Sequence, residues 1–144
     1  MMKFEVRRVK FEGERGKIPA LTLAIGAVVM KSDLPDRTFA FAERIVRLCV
    51  VLESNGRVSS TLANQLLRSG TSVGANVEEA QGAESKRDFA HKYSLACNEA
   101  REAHYWLRLL AASEVIAEDR LTPLMTEANE LVAILTSIVK KSKE

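Results

Sequence analysis

The sequence predicts an all-α protein, an up-down bundle of four helices. Three observations carry that expectation. Apolar residues recur at helical spacing from about residue 37 to 138, only three prolines occur in 144 residues, and Asn-Gly, Gly and Thr-Pro breaks divide the periodic stretch into four. Short links between the stretches favour antiparallel neighbours. A hydrophobic share of 47% and a charged share of 28% suit a globular chain with one core.

The first helix is expected over about 37–54, opened by Pro35-Asp36, with Phe41, Ile45, Leu48 and Leu52 on one stripe. Asn55-Gly56 is the pair expected where a helix ends in a left-handed turn. The second helix runs from about Ser59 to Gln81, with Leu62, Leu66, Val73 and Val77 inward and Gly82 as its stop. The third starts at Ser85, whose hydroxyl can cap the amide of Asp88. Phe89, Tyr93, Ala96, Ala100, Ala103, Leu107 and Leu110 mark its long face. The fourth starts at Thr122-Pro123, a capping residue followed by proline at the first helical position. Leu124, Ala128, Leu131, Leu135 and Ile138 carry it to Lys140, Lys141 and Lys143.

Residues 1–31 differ in composition, holding seven basic and three acidic side chains. They are expected to form an N-terminal extension outside the main fold, with the bundle domain spanning 32–144. The apolar run Ile18–Met30 is too short to span a bilayer, and Met30-Lys31-Ser32-Asp33 offers no signal cleavage site. No membrane partner is expected. The remaining 113 residues hold 14 basic and 16 acidic groups, a net charge of −2, so the overall pI of about 8.6 is no argument for nucleic-acid binding. Cys49 and Cys97 sit inside apolar helical patterns, too few for a disulfide framework or a zinc site, which fits a reducing cytoplasm.

Gly70 and Gly74 stand four apart inside the second helix, where each glycine costs about 1 kcal/mol against alanine. Close backbone approach explains them, either at a tight crossing within the bundle or at a contact between subunits. Asn76 and Glu79 follow and are grouped with that contact. The segment is no phosphate loop, because it lacks the lysine and the preceding strand. Glu99 and Glu102 share a face, but a bundle di-iron site wants Glu-x-x-His motifs. The residues three before His91 and His104 are Asp88 and Arg101. No catalytic residue, metal or cofactor is expected, and Tyr105-Trp106 reads as packing before it reads as a base-stacking pair.

The run from Leu67 to Ala80, LRSGTSVGANVEEA, followed by Ser85-Lys86-Arg87-Asp88-Phe89 and by Glu99–Leu107, resembles the helical proteins encoded in intervening sequences of bacterial 23S rRNA genes. The likeness covers roughly residues 34–141. It implies left-handed four-helix bundles assembled into a homopentameric ring. It also implies kinship with the accessory variability protein of diversity-generating retroelements, a basic barrel that binds nucleic acid and a reverse transcriptase. The net charge of −2 on the body departs from that basic surface.

The resulting expectation is a non-enzymatic oligomeric adaptor that binds itself and RNA, DNA or a nucleic-acid-associated protein. Arg44, Arg47, Arg57, Arg68, Arg87, Lys92, Arg101 and Arg108 are its phosphate-facing candidates. A protein-only scaffold is the alternative. A cryptic enzyme using Glu79, Glu99 or Glu102, with or without a metal, ranks third.

Overall fold

Helix α1 (Leu34–Glu53), α2 (Arg57–Gln81), α3 (Lys86–Ala112) and α4 (Glu118–Ser142) follow one another in the computed structural model, which describes residues 33–144. No strand occurs among the described residues, and the expected extension at 1–31 lies outside them. From Pro35 to Glu144 the chain forms one unit.

The helix ends follow local chemistry, with two departures from expectation. Helix α1 begins three residues early, because Pro35 sits in the first turn, where its missing N–H has no intrahelical partner to lose. Helix α4 begins at Glu118, not Thr122. Glu118 and Asp119 favour the positive helix end, and the Thr122 hydroxyl donates to the Glu118 carbonyl at 2.9 Å instead of capping. Pro123 therefore lies inside α4 and removes one backbone bond. Helix α3 starts as expected, with Ser85 Oγ accepting from the Asp88 amide at 3.0 Å.

The connections are three tight reversals. Gly56 adopts φ +105°, ψ 172°, a conformation open to glycine and not the left-handed helical one expected, and it opens α2 instead of simply closing α1. The Ser59 hydroxyl donates across this reversal to the Leu52 carbonyl at 2.8 Å. After α3, Glu114 takes φ +56°, and the Val115 amide reaches the Leu110 carbonyl while the Glu114 amide reaches that of Ala111. Those two bonds make a Schellman ending with glutamate in the place glycine usually takes.

The core holds Phe41, Ile45 and Leu52 of α1, Leu66, Val73 and Val77 of α2, Tyr93, Leu107 and Leu110 of α3, and Leu131 and Leu135 of α4. Leu48, Leu62 and Phe89, expected inside, are only half-buried. Cys49 and Ala63 are buried in place of the first two, one residue further along each helix. The Cys49 thiol faces the Ala63 carbonyl at 3.4 Å. Burial, then the Glu53 charge, pushes its pKa up to about 11, so it stays protonated near neutrality.

Each seam has its own fastening. Gln81 Nε2 donates to the Tyr93 hydroxyl at 3.2 Å between α2 and α3. Cys97 Sγ meets Thr136 Oγ1 at 3.3 Å between α3 and α4. Arg37 joins α1 to α4, with Nε 2.9 Å from Glu127 Oε2 and the adjoining nitrogen 2.5 Å from both Glu127 Oε1 and Glu130 Oε2. Its hydrogen bond holds the Glu127 carboxyl below the usual range.

Between α1 and α2 the backbones approach closely. A Cβ at Gly70 would stand 2.8 Å from Ile45 Cγ2 and 2.9 Å from its Cγ1, and one at Gly74 would stand 3.3 Å from the Thr38 carbonyl oxygen. Ile45 is fully buried and branched at Cβ, so it has little room to yield. Gly70→Ala is expected to cost about 1–3 kcal/mol by overpacking, and Ile45→Ala about 2–5 kcal/mol by cavity formation. Urea unfolding of the double variant should give a loss smaller than the sum, because the new methyl occupies space the isoleucine vacated. Strict additivity would show that the two side chains do not meet.

Candidate functional site

The charged side chains are sorted by helix face. On the seam between α2 and α3, Arg68 pairs with Glu99 at 3.3 Å and also with Glu102, while Trp106 Nε1 donates to Glu102 Oε1 at 3.2 Å. Lys92 Nζ lies 2.9 Å from Glu79 Oε2 on the same seam. The hydrogen bond from Arg68, with help from Trp106 and the Arg68 charge, holds the Glu102 carboxyl low against the opposing effect of burial. A carboxyl held ionised is a poor proton donor near neutral pH. No group of three or more His, Cys, Asp or Glu among the described residues is placed to hold a metal ion.

Sequence-chosen residues therefore part company. Gly70 and Gly74 face α1, whereas Glu79 turns to α3 and Asn76 donates to the Ser72 carbonyl of its own helix at 2.8 Å. Among the eight basic candidates, Arg68 and Lys92 are occupied with carboxylates, and Arg47 lies 3.7 Å from Glu43 one turn earlier. Arg44 is near enough for its charge to help depress Glu127. Arg101 reaches Thr136 Oγ1 at 3.5 Å. Arg57, Arg87 and Arg108 have no carboxylate within ion-pair distance among the described residues. The eight thus divide between several faces.

A surface that the sequence reading did not single out lies on the outer side of α1 and α2. Val50 is 67% exposed, Val46 42% and Leu67 36%. With Cys49 and Ala63 beneath them they line a shallow groove of about 280 Å³. Val46 and Val50 stand one turn apart, a spacing readable in the sequence as a second apolar stripe beside the core stripe.

Two further depressions follow the seam between α3 and α4. One holds His104, Arg108, Glu118, Thr122 and Asn129. The other holds Lys86, Arg87, His91, Ser94 and Lys143. Burial, then the Arg108 charge, lowers the proton affinity of His104 and keeps it neutral near pH 7.

The described residues form a small all-α helical bundle. The chain belongs to the 23S rRNA-intervening sequence protein family, whose pattern matches residues 30–137. It is similar, at 38% identity and a TM-score of 0.69, to a protein of unknown function of the S23 ribosomal protein family from Bacteroides thetaiotaomicron VPI-5482, with 74% of this chain and 98% of that one covered. No curated protein matches it. None of the described helices is long and apolar enough to cross a membrane.

Trp106 is the sole tryptophan and reports on Glu102 directly. Acid should alter its fluorescence as Glu102 takes up a proton, with a midpoint below the usual carboxylate range. Arg68→Met removes the partner that holds the carboxyl ionised, so the midpoint should move to higher pH. A midpoint identical in both proteins would contradict the pairing.

Proposed function

We propose that the protein is a non-enzymatic adaptor that works as a ring of identical subunits and engages nucleic acid or a nucleic-acid-associated protein. The observation that carries the assembly is the row Val46, Val50 and Leu67 on α1 and α2, exposed among the described residues. Apolar side chains contiguous at a helix seam lose water on association at about 25 cal/mol per Å². A second copy is the occupant the reading commits to, and the five-membered ring is what the family resemblance implies. The carboxylates favour the non-enzymatic part, because Glu79, Glu99 and Glu102 are each engaged by a cation.

A protein-only scaffold is the second reading. It is favoured by the net charge of −2 on residues 32–144 and by the neutralisation of Arg68 and Lys92. Capture of partners from lysate with and without nuclease separates the two, since only the adaptor reading loses its partners to nuclease.

The assembly is tested by light scattering on the full chain at micromolar concentration. Val50 is exposed within one subunit, so Val50→Glu should leave helical circular dichroism intact while reducing the mass to that of a monomer or a smaller assembly. A monomeric wild type, or a variant that keeps the wild-type mass, would overturn the proposal.

A further inference from the structure

The faces of α3 are divided by charge. Its carboxylates Glu99 and Glu102 turn to α2, where Arg68 neutralises them. On the opposite side, Arg87, Ser94, Arg101 and Arg108 recur every seven residues, with His91 and Tyr105 one turn after Arg87 and Arg101. That spacing keeps them on one face of a helix. Contacts place this face beside α4: Arg101 and Cys97 both meet Thr136, and Arg108 and Arg87 line the depressions shared with α4 on either side of that point.

Helix α4 is sorted in the same way. Glu127 and Glu130 turn to α1 and are held by Arg37. On the side of Thr136 come Lys140, one turn on, and Lys143, which shares the depression with Arg87. None of Arg87, Arg101, Arg108, Lys140 and Lys143 has a carboxylate within ion-pair distance among the described residues. The acids along this groove stand at its two ends, Glu118 beyond Arg108 and Glu144 beside Lys143. A chain that is acidic over its body thus keeps a cationic track from Arg87 to Arg108, about 32 Å at 1.5 Å per residue.

An exposed aromatic ring stands beside the track. Tyr105 is 48% exposed and follows Arg101 by one turn on α3, with its ring edge-on to Trp106 and ring centroids 5.0 Å apart. A line of cations with an exposed ring beside it is the combination that binds single-stranded nucleic acid, phosphates on the cations and a base on the ring. We propose that the α3–α4 groove is a track for single-stranded nucleic acid, with Arg87, Arg101, Arg108, Lys140 and Lys143 as phosphate contacts and the exposed Tyr105 beside it on α3 as the stacking platform. The inference rests on the adaptor reading and gives it a surface and a ligand class. It reassigns Arg68 and Lys92 from phosphate binding to the α2–α3 seam, leaves Arg44, Arg47 and Arg57 outside the contact set, and adds Lys140, Lys143 and Tyr105.

The test uses the full chain and labelled oligo(dT) and oligo(U) strands, with affinity measured across a salt series. Each phosphate contact on a single strand contributes about 0.7 to the slope of log affinity against log salt. The variant with Arg87, Arg101 and Arg108 all changed to Gln should lose about 2 from that slope. Tyr105→Ala should weaken binding roughly 5-fold to 150-fold, as expected for loss of one stacked base, with the slope unchanged. Arg57→Gln, an unpaired arginine at the start of α2, should leave affinity and slope at the wild-type values, and circular dichroism should match in all variants. Wild-type binding whose slope survives the triple change overturns the groove and leaves the adaptor reading standing. Absence of wild-type binding at low salt, for both strands, overturns the groove and the nucleic-acid part of the adaptor reading together.

Discussion

The close approach of α1 and α2 at Gly70 and Gly74 is the constraint on which the other features depend. With hydrogen in place of a side chain, α2 comes near enough for Ile45 to fill the space over Gly70 and for the Thr38 backbone to pass Gly74. Such proximity costs helix propensity at two positions, which the packing of fully buried Ile45, Leu66 and Val73 offsets. It also fixes the rotation of both helices. With Phe41, Ile45 and Leu52 turned inward, Val46 and Val50 fall on the neighbouring side of α1 and stand exposed among the described residues. The assembly proposed above rests on this packing of the first hairpin.

Charge follows the same geometry. The two seams that carry ion pairs between helices, α2–α3 and α1–α4, take up Glu79, Glu99, Glu102, Glu127 and Glu130. These pairs are partly exposed, so each contributes little to stability by itself. Their larger effect is on where unpaired charge is left. The α3–α4 seam is fastened by Cys97 and Thr136 and not by a salt bridge among the described residues, and the cations of both helices stand open there. Net charge, which is negative for the body, conceals that arrangement.

Much of the fold was legible in the sequence. The four periodic stretches, the Ser85 cap, the inward row from Tyr93 to Leu110 and the family signature around Gly70 are local patterns, and local patterns survive into the structure. Departures arose where two local signals competed. Thr122-Pro123 matches a helix start, but the acidic pair Glu118-Asp119 just before it also suits one, and the helix takes the earlier start. Leu48 and Cys49 both fit the stripe, and contact with Ala63 draws the smaller thiol inward. The Glu114 turn was hidden because its residue type gives no hint of positive φ. Site residues were less legible for a different reason. Whether Arg68 or Arg87 meets a carboxylate depends on the register between helices, which no single helix encodes. Eight basic residues chosen by type alone therefore mixed paired and unpaired groups.

The central claim is that the tight α1–α2 crossing leaves an apolar row that a second copy covers. Hydroxyl-radical footprinting of the full chain tests it most directly, reading oxidation of Val46, Val50 and Leu67 at concentrations above and below the assembly transition. The account predicts strong protection of all three in the assembled protein and reactivity matching their exposure in one subunit after dilution, while Tyr105 stays reactive in both. Equal oxidation of the three residues in the assembled and dilute protein would contradict it.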